Sequence, residues 1–328
     1  MNLTYNPRFN RAYEDIIKKL DLCGIIPLVV IDNIKNALPL AGALLGADIR
    51  VMEITFRTNA AEDAIRIITS KCPDITVGAG TVISTKQVKA AVAAGAQYIV
   101  TPGFNAEVVD FCLDLGIPVF PGCSNGTDIE SAISRGLRAV KFFPAELLGG
   151  IEMMKALSGP YPFMKFMPTG GINPENLSHY LSFNRVLCCG GTFIADEDDL
   201  KNERFNAITL NARNAVNAVI ELKLDHIALN TDAKGAAEIL KGFSRLSGQN
   251  YDPSANCVFG MEAVKNSDRK AVGHIVYSSP NLERCIYYLK NRGFEIDEST
   301  VQKESNCITE VFLLGNFGGF EIKLIKRR

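Results

Sequence analysis

Ala139-Val140-Lys141-Phe142-Phe143-Pro144-Ala145 is an apolar, strand-like run between two helix-patterned stretches, Thr127–Arg135 before it and Gly150–Leu157 after it. A short run of branched and aromatic residues between segments of helical periodicity reads as a strand alternating with helices. The same alternation recurs outward in both directions. Candidate strands are Ile25–Val30, Ile49–Thr55, Thr76–Ala79, Tyr98–Thr101, Pro118–Pro121, Ala139–Phe143, Lys165–Pro168 and Val186–Cys189, eight in all. Helix-like stretches lie between them (Ala37–Leu45, Ala60–Ser70, Thr85–Ala94, Ala106–Leu115 and Pro174–Leu181 besides the two above), and an amphipathic helix over Pro7–Leu20 precedes them. Eight alternations within about 220 residues predict an α/β fold, a closed parallel TIM (β/α)8 barrel over residues 1–222. An open doubly wound sheet has the same periodicity and stays as the alternative.

Composition bounds the partners. The chain has 328 residues, is 47% hydrophobic and 22% charged, and carries a formal net charge of -1, the profile of a soluble globular protein with room for two domains. Charges of both signs are interspersed, and the single basic cluster, Lys326-Arg327-Arg328, reads as a solvated tail, so neither a nucleic-acid nor a membrane partner is expected. Met1 to Asp15 contains no apolar core of signal-peptide length, and no uncharged apolar run is long enough to span a bilayer. The nine cysteines are an odd number without framework spacing, and most, such as Cys23, Cys112, Cys188, Cys189 and Cys285, fall in apolar stretches. They read as reduced core residues, and the expected location is cytoplasmic.

Beyond Leu222 the pattern changes and repeats. His226-Ile227-Ala228-Leu229 leads into a helix ending Leu240-Lys241-Gly242-Phe243, and His274-Ile275-Val276-Tyr277 leads into one ending Leu289-Lys290-Asn291-Arg292-Gly293-Phe294. Each unit later reaches a Gly-apolar-Glu strand, Gly260-Met261-Glu262 and Gly319-Phe320-Glu321. Residues 223–328 are therefore expected to form a smaller α+β domain of two tandem βαβββ-like modules, the first shorter and carrying the irregular loop Gly248–Pro253.

In a barrel, functional groups collect where strands end and loops begin. Lys141 lies in such a strand, and an amine among Val and Phe side chains loses hydration, which favours the neutral nucleophile. A lysine that snorkels to solvent is the plain alternative. Glu53 shares a face of its strand with Val51 and Thr55 and so points inward, where a carboxylate needs a partner: a structural ion pair or Lys141. Arg57 offers a planar, bidentate donor for a carboxylate beyond the same strand. Thr81 closes Gly78-Ala79-Gly80-Thr81, whose glycines would let the backbone approach a ligand; taken alone, Thr81 reads as a helix cap. Thr169-Gly170-Gly171 and Cys189-Gly190-Gly191-Thr192 put matched Gly-Gly turns at the ends of the last two strands, where barrels hold phosphate on backbone N–H groups.

Met52-Glu53-Ile54-Thr55-Phe56-Arg57-Thr58, Val77-Gly78-Ala79-Gly80-Thr81-Val82, Thr101-Pro102-Gly103, Lys141-Phe142-Phe143-Pro144-Ala145-Glu146 and Pro168-Thr169-Gly170-Gly171-Ile172 together resemble the ordered motif set of the 2-keto-3-deoxy-6-phosphogluconate (KDPG) aldolases, over roughly residues 10–222. The resemblance implies a class I aldolase without metal or organic cofactor. Lys141 would form the Schiff base and Glu53 would transfer protons, while Arg57 and Thr81 would bind the substrate carboxylate. Gly170, Gly171, Gly190, Gly191 and Thr192 would hold the phosphate, and Pro102 and Phe143 would shape the pocket. The products would be pyruvate and glyceraldehyde 3-phosphate, with 4-hydroxy-2-oxoglutarate, giving pyruvate and glyoxylate, as a further substrate. Thr192 stands where better-known members carry serine, and Phe193 where they carry tryptophan. Such proteins are typically homotrimers.

The tandem modules resemble the vicinal-oxygen-chelate (glyoxalase and bleomycin-resistance) superfamily, in which paired modules often hold a divalent metal. His226, Glu262, His274 and Glu321 would be the ligands here; satisfied strand histidines in a binding or oligomer-contact domain are the alternative. A metal-dependent aldolase is disfavoured because the barrel segment holds only His179, on a helix without a ligand partner at suitable spacing. A sugar-acid-phosphate sensor without turnover, with the C-terminal domain as readout, would not need an inward amine beside a proton shuttle.

Overall fold

The computed structural model describes residues 7–248, 257–258, 260–265 and 271–327. Residues 249–253 of the irregular loop, and Arg328 of the basic tail, lie outside the described residues. The chain divides into two compact units, Met1–Val219 and Ile220–Arg328.

The first unit begins with helix α1 (Pro7–Cys23) and then alternates strand and helix: β1 (Ile25–Val29), α2 (Ala37–Leu45), β2 (Val51–Thr55), α3 (Ala61–Lys71), β3 (Thr76–Gly80), α4 (Thr85–Ala93), β4 (Tyr98–Val100) and α5 (Ala106–Leu115). It continues through β5 (Val119–Phe120), β6 (Gly122–Cys123), α6 (Gly126–Ile133), β7 (Ala139–Phe142), α7 (Gly150–Ser158), β8 (Lys165–Pro168), α8 (Leu177–Ser182), β9 (Cys189–Gly191), α9 (Glu197–Lys201) and α10 (Phe205–Ile220). Side-chain caps fix the helix starts in loops: Ser84, Asn105 and Asn125 accept from the backbone N–H three residues on.

Every neighbouring pair of strands in this unit is parallel, and the pairing returns to its start. β1 pairs with β2, β2 with β3, β3 with β4 and β4 with β5, then β6 with β7 and β7 with β8. Single bridges Phe166↔Val186 and Thr169↔Gly190 join β8 to the β9 segment, and β9 pairs with β1. The sheet curls into an α/β barrel, and the open-sheet alternative is excluded by the β9–β1 ladder.

Two strand readings need correction. The fifth strand, expected over Pro118–Pro121, is broken at Pro121, which has no N–H to give a ladder. Its first half pairs with β4, and its second half, Gly122–Cys123, pairs with the lysine strand, Gly122 lying opposite Lys141. The eighth strand runs over Cys189–Gly191 and not Val186–Cys189, so Gly190–Gly191 is ladder, paired with Ile26 and Pro27, and not a turn. A Cβ at position 190 would lie 2.5 Å from Thr169 Oγ1 and 2.9 Å from Leu28 Cδ1; a strand this close to its neighbours' side chains has space only for glycine.

The barrel interior is layered across the sheet. Tyr98 on β4 reaches over β3 to donate a hydrogen bond to Met52 O on β2 at 2.9 Å, its ring lying where a side chain at Gly78 would stand. Tyr13 of α1 stacks on Phe9 and Phe120 and accepts from the N–H groups of Arg138 and Ala139 at 3.1 and 3.0 Å, tying α1 to the start of β7.

The second unit is a mixed seven-stranded sheet with two helices. Its strands are β10 (Lys223–Thr231), β11 (Cys257–Val258), β12 (Met261–Lys265), β13 (Gly273–Ser279), β14 (Ile296–Glu304), β15 (Cys307–Leu313) and β16 (Phe320–Lys326), in the order β11-β12-β10-β13-β16-β15-β14. Helix α11 (Ala233–Ser247) follows β10 and α12 (Leu282–Asn291) follows β13. β10 and β12 are parallel, as are β13 and β16, and the antiparallel β10–β13 pair joins the halves. The second repeat thus runs strand, helix and three strands; in the first, two strands follow the helix among the described residues. Leu282, Cys285, Ile286 and Leu289 of α12 bury against Val311, Leu313 and Leu324 of the sheet.

All nine cysteines carry free thiols. Cys23, Cys112, Cys188, Cys189 and Cys285 are buried as expected, whereas Cys257 and Cys307 are exposed. No described helix is long and apolar enough to cross a membrane.

Candidate active site

Lys141 on β7 and Glu53 on β2 meet inside the barrel, Nζ to Oε1 at 3.7 Å. Lys141 is 4% exposed and Glu53 1%, so the lysine does not snorkel out over the surface; what little of it is accessible faces the cavity it lines. The separation suits an ion pair and is too long for a direct hydrogen bond. Both carboxylate oxygens of Glu53 are buried without a hydrogen-bond partner. A buried carboxylate in that state is costly, and its open acceptor positions suit a group brought in by a ligand.

The glycines of β3 have a different use from the one expected. A Cβ at Gly80 would lie 1.9 Å from Glu53 Oε1, so this glycine makes room for the carboxylate and not for a ligand. Thr81 is likewise not a cap, because Ser84 caps α4. It is held at φ +56, a left-handed backbone that a β-branched residue adopts only under constraint, and its hydroxyl accepts from Arg57 Nε at 3.3 Å.

Around the lysine, one cavity is lined by Arg57, Thr81, Pro102, Phe143, Gly170, Gly171, Gly190 and Thr192 among the expected residues. Lys141 Nζ stands 5.3 Å from the centroid of the Phe143 ring. Gly191 does not line the cavity; a Cβ there would lie 2.6 Å from the Phe193 ring. Leu28, Thr169 and Ile172 complete the lining. Thr169 precedes Gly170-Gly171, and alternation from Met167 is the sequence signal that it points inward. Leu28 and Ile172 are apolar and carry no sequence mark that separates pocket from core.

In the second unit, His226, Glu262 and His274 gather so that one ligand atom from each lies within 4.8 Å of the others. His226 Nε2 is 2.9 Å from Glu262 Oε2, and its Nδ1 is 2.8 Å from Asp225 Oδ2. The shorter first repeat therefore still brings Glu262 to His226. Glu321 lies opposite His274 in the β13–β16 register, beside this group and not within it. Burial first, then the Lys323 ammonium, holds the His274 imidazole below its usual pKa, which favours the neutral ring.

A parallel barrel whose interior gathers a buried amine, a buried carboxylate and a cavity lined by a guanidinium and glycine backbone is the architecture of an enzyme acting on small anionic molecules. The family model of the KDPG and KHG aldolases matches residues 16–210. A 2-dehydro-3-deoxy-phosphogluconate aldolase of Treponema pallidum is 46% identical over 194 residues, 59% of this chain and 92% of that protein. Its counterpart in Haemophilus influenzae is 41% identical over 63% of this chain and 97% of its own length. Among solved structures, the KDPG aldolase of Legionella pneumophila, with pyruvate captured at low pH as a covalent carbinolamine intermediate, superposes with a TM-score of 0.59 at 38% identity, over 61% of this chain and 97% of that one. The chain belongs to the KDPG and KHG aldolase family, a family of carbon–carbon lyases.

Proposed function

We propose that the barrel is a class I aldolase that cleaves 2-keto-3-deoxy-6-phosphogluconate to pyruvate and glyceraldehyde 3-phosphate, and 4-hydroxy-2-oxoglutarate to pyruvate and glyoxylate. The observation that carries this reading is the buried Lys141–Glu53 pair, with both carboxylate oxygens unpartnered. The Lys141 amine attacks the C2 ketone, and Glu53 moves the protons by which water leaves and the imine forms. Glu53 takes the C4 hydroxyl proton as the C4 carbonyl forms, and the protonated imine accepts the electron pair of the breaking C3–C4 bond as the aldehyde product departs. Glu53 lies at the distance from Nζ at which one bound substrate carbon can face both groups. The remaining enamine is protonated and hydrolysed to pyruvate, and the imine supplies the electron sink that a metal would supply in another class.

Arg57, with Thr81 fixed beside it, binds the substrate carboxylate. Gly170, Gly171, Gly190, Gly191 and Thr192 form the phosphate end, Gly191 indirectly through Phe193, and Pro102 and Phe143 bound the pocket. Borohydride reduction in the presence of pyruvate, followed by peptide mass mapping, tests the mechanism: a reduced pyruvate adduct on Lys141 is expected, and its absence removes the Schiff base. A barrel that binds without turnover is not supported, since the matched relatives are aldolases by name. The homotrimer is kept as a proposal from the family, to be tested by a light-scattering mass of about three chains.

A second reading concerns the C-terminal unit and rests on the convergence of His226, Glu262 and His274. These residues, with Glu321 from the adjoining strand, would hold a divalent metal of borderline hardness on two imidazoles and carboxylate oxygen. Metal analysis of the wild type against His226→Ala tests it, with bound metal lost in the variant as the expected result.

A further inference from the structure

We infer that Asn176, the N-cap residue of α8, and Tyr180, one turn further on in that helix, are positioning residues that clamp the Gly170–Gly171 turn in its phosphate-holding form, Tyr180 acting through Glu146. The inference rests on the reading of that turn as the phosphate end of the site. Both glycines are left-handed, at φ +96 and +83, a backbone that needs outside support to stay in one form. Three consecutive carbonyls through the turn are tied to the frame. Thr169 O accepts from Ala145 N at 2.8 Å, Gly170 O from Glu146 N at 3.1 Å and Gly171 O from Asn176 Nδ2 at 2.9 Å. A carbonyl oxygen turned toward a phosphate would repel it, so holding these three back leaves the amide side of the turn to face the cavity.

Glu146 is the centre of the clamp. It directly follows the loop that leaves the lysine strand, and a Cβ at Gly171 would lie 2.4 Å from its Cγ and 2.6 Å from its Cβ. The turn therefore packs on the Glu146 side chain itself. That side chain is exposed, and an exposed glutamate keeps one rotamer only if something holds its end. The Tyr180 hydroxyl donates to Glu146 Oε1 from a buried ring. Gly150 leaves space for the contact, since a Cβ there would stand 2.9 Å from the Tyr180 hydroxyl and 3.3 Å from Glu146 Oε1. Asn176 is fixed in turn by a reciprocal exchange with Asn173, Asn173 N to Asn176 Oδ1 and Asn176 N to Asn173 Oδ1, both at 2.9 Å. Tyr180 N donates to Asn176 O at 3.0 Å, so the start of α8 grips the turn directly at its cap residue and through Glu146 one turn on.

The test compares a phosphorylated with a phosphate-free ligand. Tyr180→Phe should raise KM for 2-keto-3-deoxy-6-phosphogluconate about tenfold, the effect of one net hydrogen bond, with kcat within about twofold of wild type. The pyruvate concentration that half-saturates borohydride trapping should not move, because pyruvate does not reach the phosphate end. Glu146→Ala, which also removes the Cγ on which the turn packs, should raise that KM at least as much as Tyr180→Phe, the double variant should add nothing to Glu146→Ala, and Glu146→Gln, which keeps the side chain and an acceptor oxygen, should stay near wild type. An unchanged KM in Tyr180→Phe, or an equal loss for pyruvate, overturns the clamp. Gly171→Ala separates the two levels of failure. If it raises the phosphorylated-substrate KM while Tyr180→Phe is silent, the clamp is wrong and the phosphate turn stands; if both are silent, both readings fall.

Discussion

Glu53 is expensive where it stands: a carboxylate 1% exposed, with neither oxygen hydrogen-bonded, is tolerated because Lys141 is 3.7 Å away and because Gly80 gives it volume. Glu53→Gln keeps that volume and removes the proposed proton shuttle, so kcat for cleavage should fall by about 10²–10⁴ while pyruvate still binds. Full activity in steady-state assays would remove Glu53 from the mechanism. Gly80→Ala tests the same group from its neighbour. Its Cβ would fall 1.9 Å from Glu53 Oε1 and must displace the carboxylate, so a drop of at least about tenfold in kcat is expected without any change in the ionisable groups. Alternation along β2 and the apolar run around Lys141 made both side chains legible in sequence. The use of Gly80 was not, because what fills the space of an absent side chain is decided by the strand alongside.

At the scale of elements, α1 is tied to the lysine strand through Tyr13. Burial pushes its hydroxyl up to about 12, against the opposing pull of the Arg138 and Ala139 N–H groups. The unfolded phenol titrates near 10, so between about pH 10 and 12 the unfolded chain has lost a proton that the native state still holds, and stability falls as pH rises through that window. Tyr13→Phe should flatten this alkaline slope by up to one proton's worth. At pH 7 it should cost about 1–3 kcal/mol, since the buried Ala139 N–H and the partly buried Arg138 N–H lose their acceptor. Urea unfolding at pH 7 and across pH 10–12 measures both. The alternation of strands and helices was readable from periodicity, yet the break at Pro121 and the extension of the last strand through Gly190–Gly191 were not. Each depends on which neighbour offers a ladder, a property of the closed sheet and not of the segment.

At the scale of the molecule, the matched relatives are covered over 92% and 97% of their length by 59% and 63% of this chain, so the barrel alone accounts for nearly all of them. A chain ending at Val219 should therefore fold and keep its aldol cleavage, with kcat/KM within a few-fold of the full chain by steady-state assay. EDTA should leave cleavage by the full chain unchanged, because the imine carries the electrons; a loss of activity would contradict the class I assignment. The sequence by itself determined the α/β alternation, the change of pattern beyond Leu222 and the presence of an amine and a carboxylate on apolar strands, because hydrophobic period and residue type are local properties. Closure of the barrel, the pairing of Lys141 with Glu53 across it, the vacated volume at Gly80 and the meeting of His226, Glu262 and His274 were decided only by the tertiary structure. Those contacts join residues far apart in the chain, and their distances exist only once the sheets have formed.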